Sequence, residues 1–277
     1  MATKASRSRK VALRSTKPNA GVRDAYAKEL SALVREMAED VAETLKKAYD
    51  RHEPLLAQDA RLPSSALADM MELLRKRWTK RFETASERIS KKFVQGVKTS
   101  VTNQKRSAIR SAGLPEAFAL KFDRGLVSQD VLKAITQENT SLIKSIGSKY
   151  LDDVEGLVMR SVTAGRDVKG LAGELQRRYD VTKRRAVFIA RDQNNKASEA
   201  LARAQDAQSG ITRGVWIHVP GRWTSRETHR HMDGKEFDLR EGLYDSDAGR
   251  KILPGELPGC QCTYRPLFPS ELWTPKR

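Results

Sequence analysis

Between Leu67 and Val101 an apolar side chain recurs at every third or fourth residue: Leu67, Met71, Leu74, Trp78, Phe82, Ala85, Ile89, Phe93, Val97 and Val101. No proline interrupts the run, which Pro63 and Pro115 bracket. This period lays one stripe along a helix, whereas a strand would divide the same residues between its two faces. The pattern predicts a helix of roughly 45 residues, with Ser64 or Ser65 as its cap. Such a stripe suits the seam of a bundle or coiled coil better than a helix lying on a membrane surface.

The same spacing recurs on either side. Leu30, Leu33, Val34, Met37, Val41, Leu45 and Ala48 form a stripe between Val22 and about Arg51, closed by Pro54. After Gly113-Leu-Pro115 and Gly125, Ser128 is placed to cap a third long helix. Its stripe is Val131, Ile135, Leu142, Ile143, Ile146, Leu151, Val154 and Val158, and Gly165 stops it. Asp167 then caps a short helix with Val168, Leu171 and Leu175, and Thr182 caps another with Val187, Ile189, Ala190 and Leu201, ended by Gly210. The two meet at Tyr179-Asp180-Val181.

Nothing before Gln208 reads as a strand. Beyond Gly210, Gly214-Val-Trp216-Ile-His218-Val alternates as a strand does, and turn-forming Gly, Asp and Ser become frequent. The expected fold is mainly α: an elongated N-terminal and central region of long helices, with a small C-terminal α+β module. The expected divisions are a basic flexible arm over 1–20, long amphipathic helices with a basic face over 21–127, further helices over 128–210, and the α+β module over 211–277. Trp216 and Trp223, flanking Pro220-Gly221, read as a packed turn rather than a base-stacking platform.

The formal charge of the chain is +17, which attracts polyanions at long range and makes nucleic acid the leading partner class. Residues 1–23 hold seven Lys/Arg and no Asp/Glu, and residues 75–110 hold twelve against Glu83 and Glu87. Candidate phosphate contacts are Lys4, Arg7, Arg9, Lys10, Arg14 and Lys17 in the arm, and Arg75, Lys76, Arg77, Lys80, Arg81, Lys91 and Lys92 on the helix. The plainer alternatives are a solubilising tail and a solvated helix face. Binding would be sequence-independent double-stranded DNA binding, since no base-reading motif is present. No run of about 18 apolar residues argues for a membrane span, and no apolar h-region follows the basic start, so a cytosolic origin without membrane insertion is expected.

The only two cysteines, Cys260 and Cys262, follow Arg226-Glu-Thr-His229-Arg-His231-Met-Asp233-Gly234 across a Gly/Pro-rich loop. Cysteines at i and i+2 make a poor disulfide, which favours a reducing compartment or a metal site. A tetrahedral structural zinc would draw on Cys260, Cys262, His229 or His231, and Asp233. The alternative is that both thiols are small buried hydrophobes and the histidine makes an ordinary hydrogen bond. A zinc-stabilised nuclease using carboxylates from Glu227, Asp233 and Glu236 is a further alternative, although that class usually pairs two C-x-x-C ligand sets. Neither a phosphate-cradling loop nor a nucleophile elbow occurs.

Several motifs stand in a definite order: Asn139-Thr-Ser-Leu142-Ile143; Gly165-Arg-Asp-Val; Ile189-Ala-Arg191-Asp192-Gln193 with Asn195; Trp216; Arg226-x-x-His229-x-x-Met-Asp233-Gly234; and Pro258-Gly-Cys260-x-Cys262. Over roughly residues 128–268 this series resembles the phage Mu F-like minor head proteins, also called phage head morphogenesis proteins. Arg191, Asp192, Gln193, Arg226, Asp233 and Gly234 carry the family pattern, and His229 rather than His231 occupies the family's position. The resemblance implies a non-enzymatic virion protein, with the portal protein, other capsid or scaffolding proteins and packaged DNA as partners. It further implies a place at the capsid interior or portal vertex, a stay in the host cytoplasm during assembly, and a role in head morphogenesis or genome delivery. A sequence-independent DNA-binding helical protein outside any virion is the rival. At helical spacing, Arg191 with Asn195 and Asp192 with Lys196 read as polar contacts of a helix rather than as catalytic groups.

Overall fold

The chain is described by a computed structural model covering residues 11–50, 64–114, 126–163, 168–220 and 225–269. Among these, the long stripes form four helices: α1 (Ala20–Asp50), α2 (Ser64–Ser111), α3 (Leu126–Thr163) and α4 (Val168–Gln208). A short helix, α5 (Glu227–Met232), and six strands follow the motifs: β1 (Val11–Ala12), β2 (Arg213–Ile217), β3 (Glu236–Asp238), β4 (Leu243–Asp245), β5 (Arg250–Ile252) and β6 (Thr263–Phe268). None of the described helices is long and apolar enough to cross a membrane.

Two compact units form, and both draw on discontinuous stretches. The first comprises residues 1–23, 93–135 and 191–277, and the second 24–92 and 136–190. Among the described residues the second is all helix. Its core takes the predicted stripe residues Leu30, Met37, Val41 and Leu45 of α1, Leu67, Met71, Leu74 and Phe82 of α2, and Ile143, Ile146, Leu151 and Val154 of α3, all nearly inaccessible. Motif residue Asn139 is fully buried there, its side-chain oxygen accepting the Tyr26 hydroxyl at 2.9 Å.

At Gly147 the backbone of α3 comes so near Phe82 that a Cβ would stand 2.7–2.9 Å from three ring atoms. Trp78 packs edge-on against that ring at 6.2 Å, so it has little room to yield. Gly147→Ala should therefore destabilise the protein by about 1 kcal/mol, the clash outweighing alanine's better helix propensity. Gly173→Ala in α4, where nothing lies within 4 Å, should stabilise by up to about 1 kcal/mol. Thermal unfolding of the two variants checks this; shifts of the same sign would contradict the close approach.

Four expectations change. The break at Tyr179-Asp180-Val181 does not exist, and α4 runs unbroken through Thr182. Asp, Val and Thr inside a helix each lose only a few tenths of a kcal/mol relative to good helix formers, too little to end one without Gly or Pro. Because the register is continuous, Ala186, Ile189 and Ala190 face the core and the expected stripe member Val187 is 46% exposed. Ser128 lies within α3 rather than at its cap, since Leu126 and Val127 are already helical. Most important, a strand does precede Gln208. Val11 and Ala12 pair antiparallel with Phe268 and Leu267, so what reads as a flexible arm is anchored from Val11 onward. Leu13 and Thr16 are buried, and Gln104 holds the Lys17 backbone on both its N–H and its carbonyl. Lys4, Arg7, Arg9 and Lys10 lie outside the described residues, as do Pro54, Pro63, Pro115, Gly125, Gly165, Asp167 and Trp223.

The sheet in the first unit has the order β1-β6-β2-β3, antiparallel throughout, and β4 and β5 form a separate hairpin. β6 is the pivotal strand, with β1 on one side and all five residues of β2 on the other. Within this unit α2 and α4 have Schellman-like ends: Gly113 and Gly210 take φ of +69° and +79°, and Leu114 and Ile211 donate back to Ile109 and Asp206. Only glycine adopts that turn without strain.

Candidate functional site

His229 projects from α5 into the first unit and is 2% exposed. Its Nδ1 lies 3.4 Å from Cys260 Sγ and 3.6 Å from Cys262 Sγ, and all three donor atoms fall within 4.8 Å of one another. The His and Cys members of the motif series thus meet in space. His231 points elsewhere, its side chain 72% exposed and its ring nitrogen near Glu227.

The opposite nitrogen of His229 faces a carboxylate. Nε2 lies 3.1 Å from Asp245 Oδ2. Asp245 is fully buried, accepting the Asp247 and Ala248 backbone N–H groups on Oδ1 and the Thr228 hydroxyl on Oδ2. Burial works against its ionisation, but the Ala248 and Asp247 N–H groups, Thr228 and His229 outweigh it and hold the carboxyl below its usual range. The approach of Asp245 to the ring is close but not aligned as a hydrogen bond, so Nε2 is a buried nitrogen beside a carboxylate that a small turn of the ring would engage, with Nδ1 on the side of the sulfurs.

The two thiols behave as a pair. Hydrogen bonding from Cys262 holds Cys260 well below the ordinary cysteine range, against the effect of burial and with support from His229. The same bond, reinforced by burial, pushes Cys262 up. The Trp216 indole N–H, buried with no hydrogen-bond acceptor among the described residues, favours the charged form of Cys262, as does the Val219 N–H. Trp216 also packs edge-on to His229 and to Phe237, each at 5.7 Å, and Phe237 to Tyr264 at 6.0 Å. It is a packed core residue, with no face open to a nucleobase.

The family-pattern residues surround this cluster as braces. Asp192 on α4 accepts the Gly259 backbone N–H at 2.6 Å and pairs with Lys196 at 2.8 Å. Asn195 donates to the Cys260 carbonyl at 3.0 Å, and Arg226 to the Pro258 carbonyl at 3.0 Å. Asp233 accepts the His218 backbone N–H at 2.8 Å, and the Gly234 N–H donates to the Trp216 carbonyl. Gln193 is buried in the same helix as Asp192, and Arg191 is half-buried. Asp192, Asn195, Arg226, Asp233 and Gly234 thus hold the cysteine loop and the end of β2 in place.

Two partners of the cluster are not evident from sequence. His218, half-buried just past β2, brings its Nδ1 within 3.5 Å of Cys262 Sγ. It shares the alternating face of buried Trp216, the one signal that points to it. Asp245 carries none, since its role depends on a hairpin turn that only tertiary structure places beneath His229.

Most of the basic face of α2 is engaged, Lys80 being exposed and without an ion pair among the described residues. Arg75 bridges Asp152 and Glu155 of α3, while Arg77, Arg81 and Lys92 pair with Asp40, Glu36 and Glu29 of α1. Lys76 and Lys91 pair within α2 with Glu72 and Glu87. The run serves first as a seam of ion pairs among helices, each of which adds little stability while exposed to solvent. Arg14 and Lys17 are both exposed.

A buried cluster of a histidine and two cysteines, braced by polar helix residues and set beside a small antiparallel sheet, defines a helical protein with a structured C-terminal module. Residues 152–265 match the family described as phage Mu protein F like protein, the family that the motif series resembles. An uncharacterized protein of Haemophilus influenzae (strain Rd) is 28% identical over 252 residues, which is 88% of this chain and 52% of that protein. The chain therefore spans about half the length of this curated relative. No solved structure matches it.

Proposed function

We propose that this chain is a minor, non-enzymatic protein of a tailed-phage head, associated with the portal and packaged DNA during head morphogenesis or genome delivery. The observation that carries the reading is the agreement between family and geometry. The matched segment, residues 152–265, contains the residues whose side chains or backbone brace the His229 cluster, from Asp192 through Arg226 and Asp233 to Cys260 and Cys262. Those residues have structural tasks, which suits a docking module. Mass spectrometry of purified, DNA-filled particles from the phage or prophage encoding the chain tests the assignment. The chain should be present at a few copies per head, and its absence from heads would reject the reading.

Contact with DNA is proposed through the N-terminal segment rather than chiefly through α2, where, among the described residues, six of the seven candidate side chains already face carboxylates and only Lys80 does not. Removing residues 1–10 and changing Arg14 and Lys17 to glutamine eliminates six cations while keeping β1. On random duplex DNA, the slope of log K against log salt should flatten by about 0.9 for each phosphate that the variant fails to neutralise. An unchanged slope would remove this segment from the interface.

A further inference from the structure

We infer that His229, Cys260, Cys262 and His218 hold one zinc ion, with Asp245 orienting His229 from behind, as a structural clamp on the C-terminal module. This site stands independently of the head-protein reading. In tetrahedral coordination, Zn–S of about 2.3 Å and Zn–N of about 2.0–2.1 Å place sulfur and nitrogen donors about 3.5 Å apart. The three sulfur–nitrogen separations here are 3.4, 3.5 and 3.6 Å. Hydrogen bonds would use only part of the arrangement: Cys260 can pair with His229 and Cys262 with His218, which leaves the 3.6 Å approach of Cys262 to His229 Nδ1 unused. Both sulfurs approach the same Nδ1, which offers a single lone pair, so one S–H···N bond would leave the other sulfur without that partner. A cation at the centre uses both sulfurs and the ring nitrogen at once.

The surroundings fit a metal as well as the donors do. Asp245 stands 3.1 Å from the otherwise unsatisfied His229 Nε2, where a carboxylate orients a metal-binding imidazole, and Asp245 is itself held by three hydrogen bonds. His218 is fixed through its backbone N–H to Asp233, and its Nδ1, 3.5 Å from Cys262 Sγ, is the nitrogen assigned to complete a Cys2His2 set. Two thiolates cancel the charge of the ion, so the filled site is neutral. A neutral site is the form that a buried position accepts at least cost. Four closed ligands leave no position for water or substrate, and the class is a structural rather than a catalytic zinc.

The test uses the full chain, purified reduced and without chelator, with elemental analysis and cobalt(II) substitution. About one zinc per chain is expected, and the cobalt form should show intense tetrahedral d–d bands with thiolate charge transfer. Asp245→Asn should weaken zinc binding about 10- to 100-fold, measured by competition with a chromogenic chelator, and Cys260→Ser should abolish the charge-transfer band or halve it. His218→Ala should weaken binding and change the d–d envelope. Should the variants unfold, the wild-type chain still decides the matter. Less than about a tenth of an equivalent of zinc, with no cobalt charge transfer on the reduced protein, would overturn the site. Unchanged affinity and spectrum in His218→Ala would overturn the fourth ligand.

Discussion

Lys105→Met should destabilise the protein by about 3–5 kcal/mol, more than any exposed charge on the same helix. Lys105 belongs to the basic run of α2, yet it is 1% exposed and its Nζ lies 2.5 Å from Asp206 Oδ2. Tyr264 donates its hydroxyl to that same oxygen at 2.6 Å, and the ammonium sits 5.4 Å from the Tyr264 ring centre. Asp206 Oδ1 has no hydrogen-bond partner among the described residues, so this carboxylate depends on Lys105 for its counter-charge. Removing one member of a buried pair strands the other, and the stranded charge rather than the missing attraction sets the size of the effect. The double variant Lys105→Met/Asp206→Asn should recover most of the loss. Urea unfolding of the two singles and the double gives the coupling directly. Additive losses would mean that the pair is not energetically joined.

The second large effect depends on pH. Glu199 is 1% exposed on α4, and both its carboxylate oxygens are buried without a hydrogen-bond partner by geometry. Burial pushes its pKa up to about 8, against the pull of Thr263, Arg203 and Lys105. The folded protein thus binds a proton here that the unfolded chain, at the ordinary 4.5, has released. The sign follows: the contribution to stability is full below about pH 4.5 and is lost progressively as pH rises toward 8. Each pKa unit corresponds to about 1.4 kcal/mol, so the full excursion amounts to several kcal/mol. Glu199→Gln keeps the shape and removes the titration. Its melting temperature should increasingly exceed that of the wild type from about pH 5 to about pH 9, and parallel curves would show that Glu199 ionises freely in the folded state.

Lys105 and Glu199 also show what sequence alone conceals. The stripes of α1, α2 and α3 are legible because a single period fixes which side chains face inward, and the stripe residues from Leu30 to Val101 are almost all buried. Lys105 is hidden within a basic run, although it lies four residues from both Val101 and Ile109 and so shares their face. Periodicity can identify the face, but whether a buried partner waits there depends on α4, which contributes Asp206. The supposed break near Tyr179 comes from weighing capping residues above continuity. Those residues favour a helix start only where the backbone is already non-helical. At the cluster, residue identity brings His229, Cys260 and Cys262 together, while Asp245 and the brace from Asn195 need the third dimension.

The pairing of β1 with β6 bears on how the protein is made. Val11 leaves the ribosome long before its partner Phe268, which is synthesised about 250 residues later, more than about ten seconds at typical bacterial rates. Until then β1 has no strand beside it, and β2 has only β3. Residues 24–92 and 136–190 can assemble their helical core in the meantime, because every segment they need has already been translated. Sheet closure around β6 is thus a late event, and Leu13 and Thr16 stay accessible to chaperones or to a second nascent chain throughout that interval.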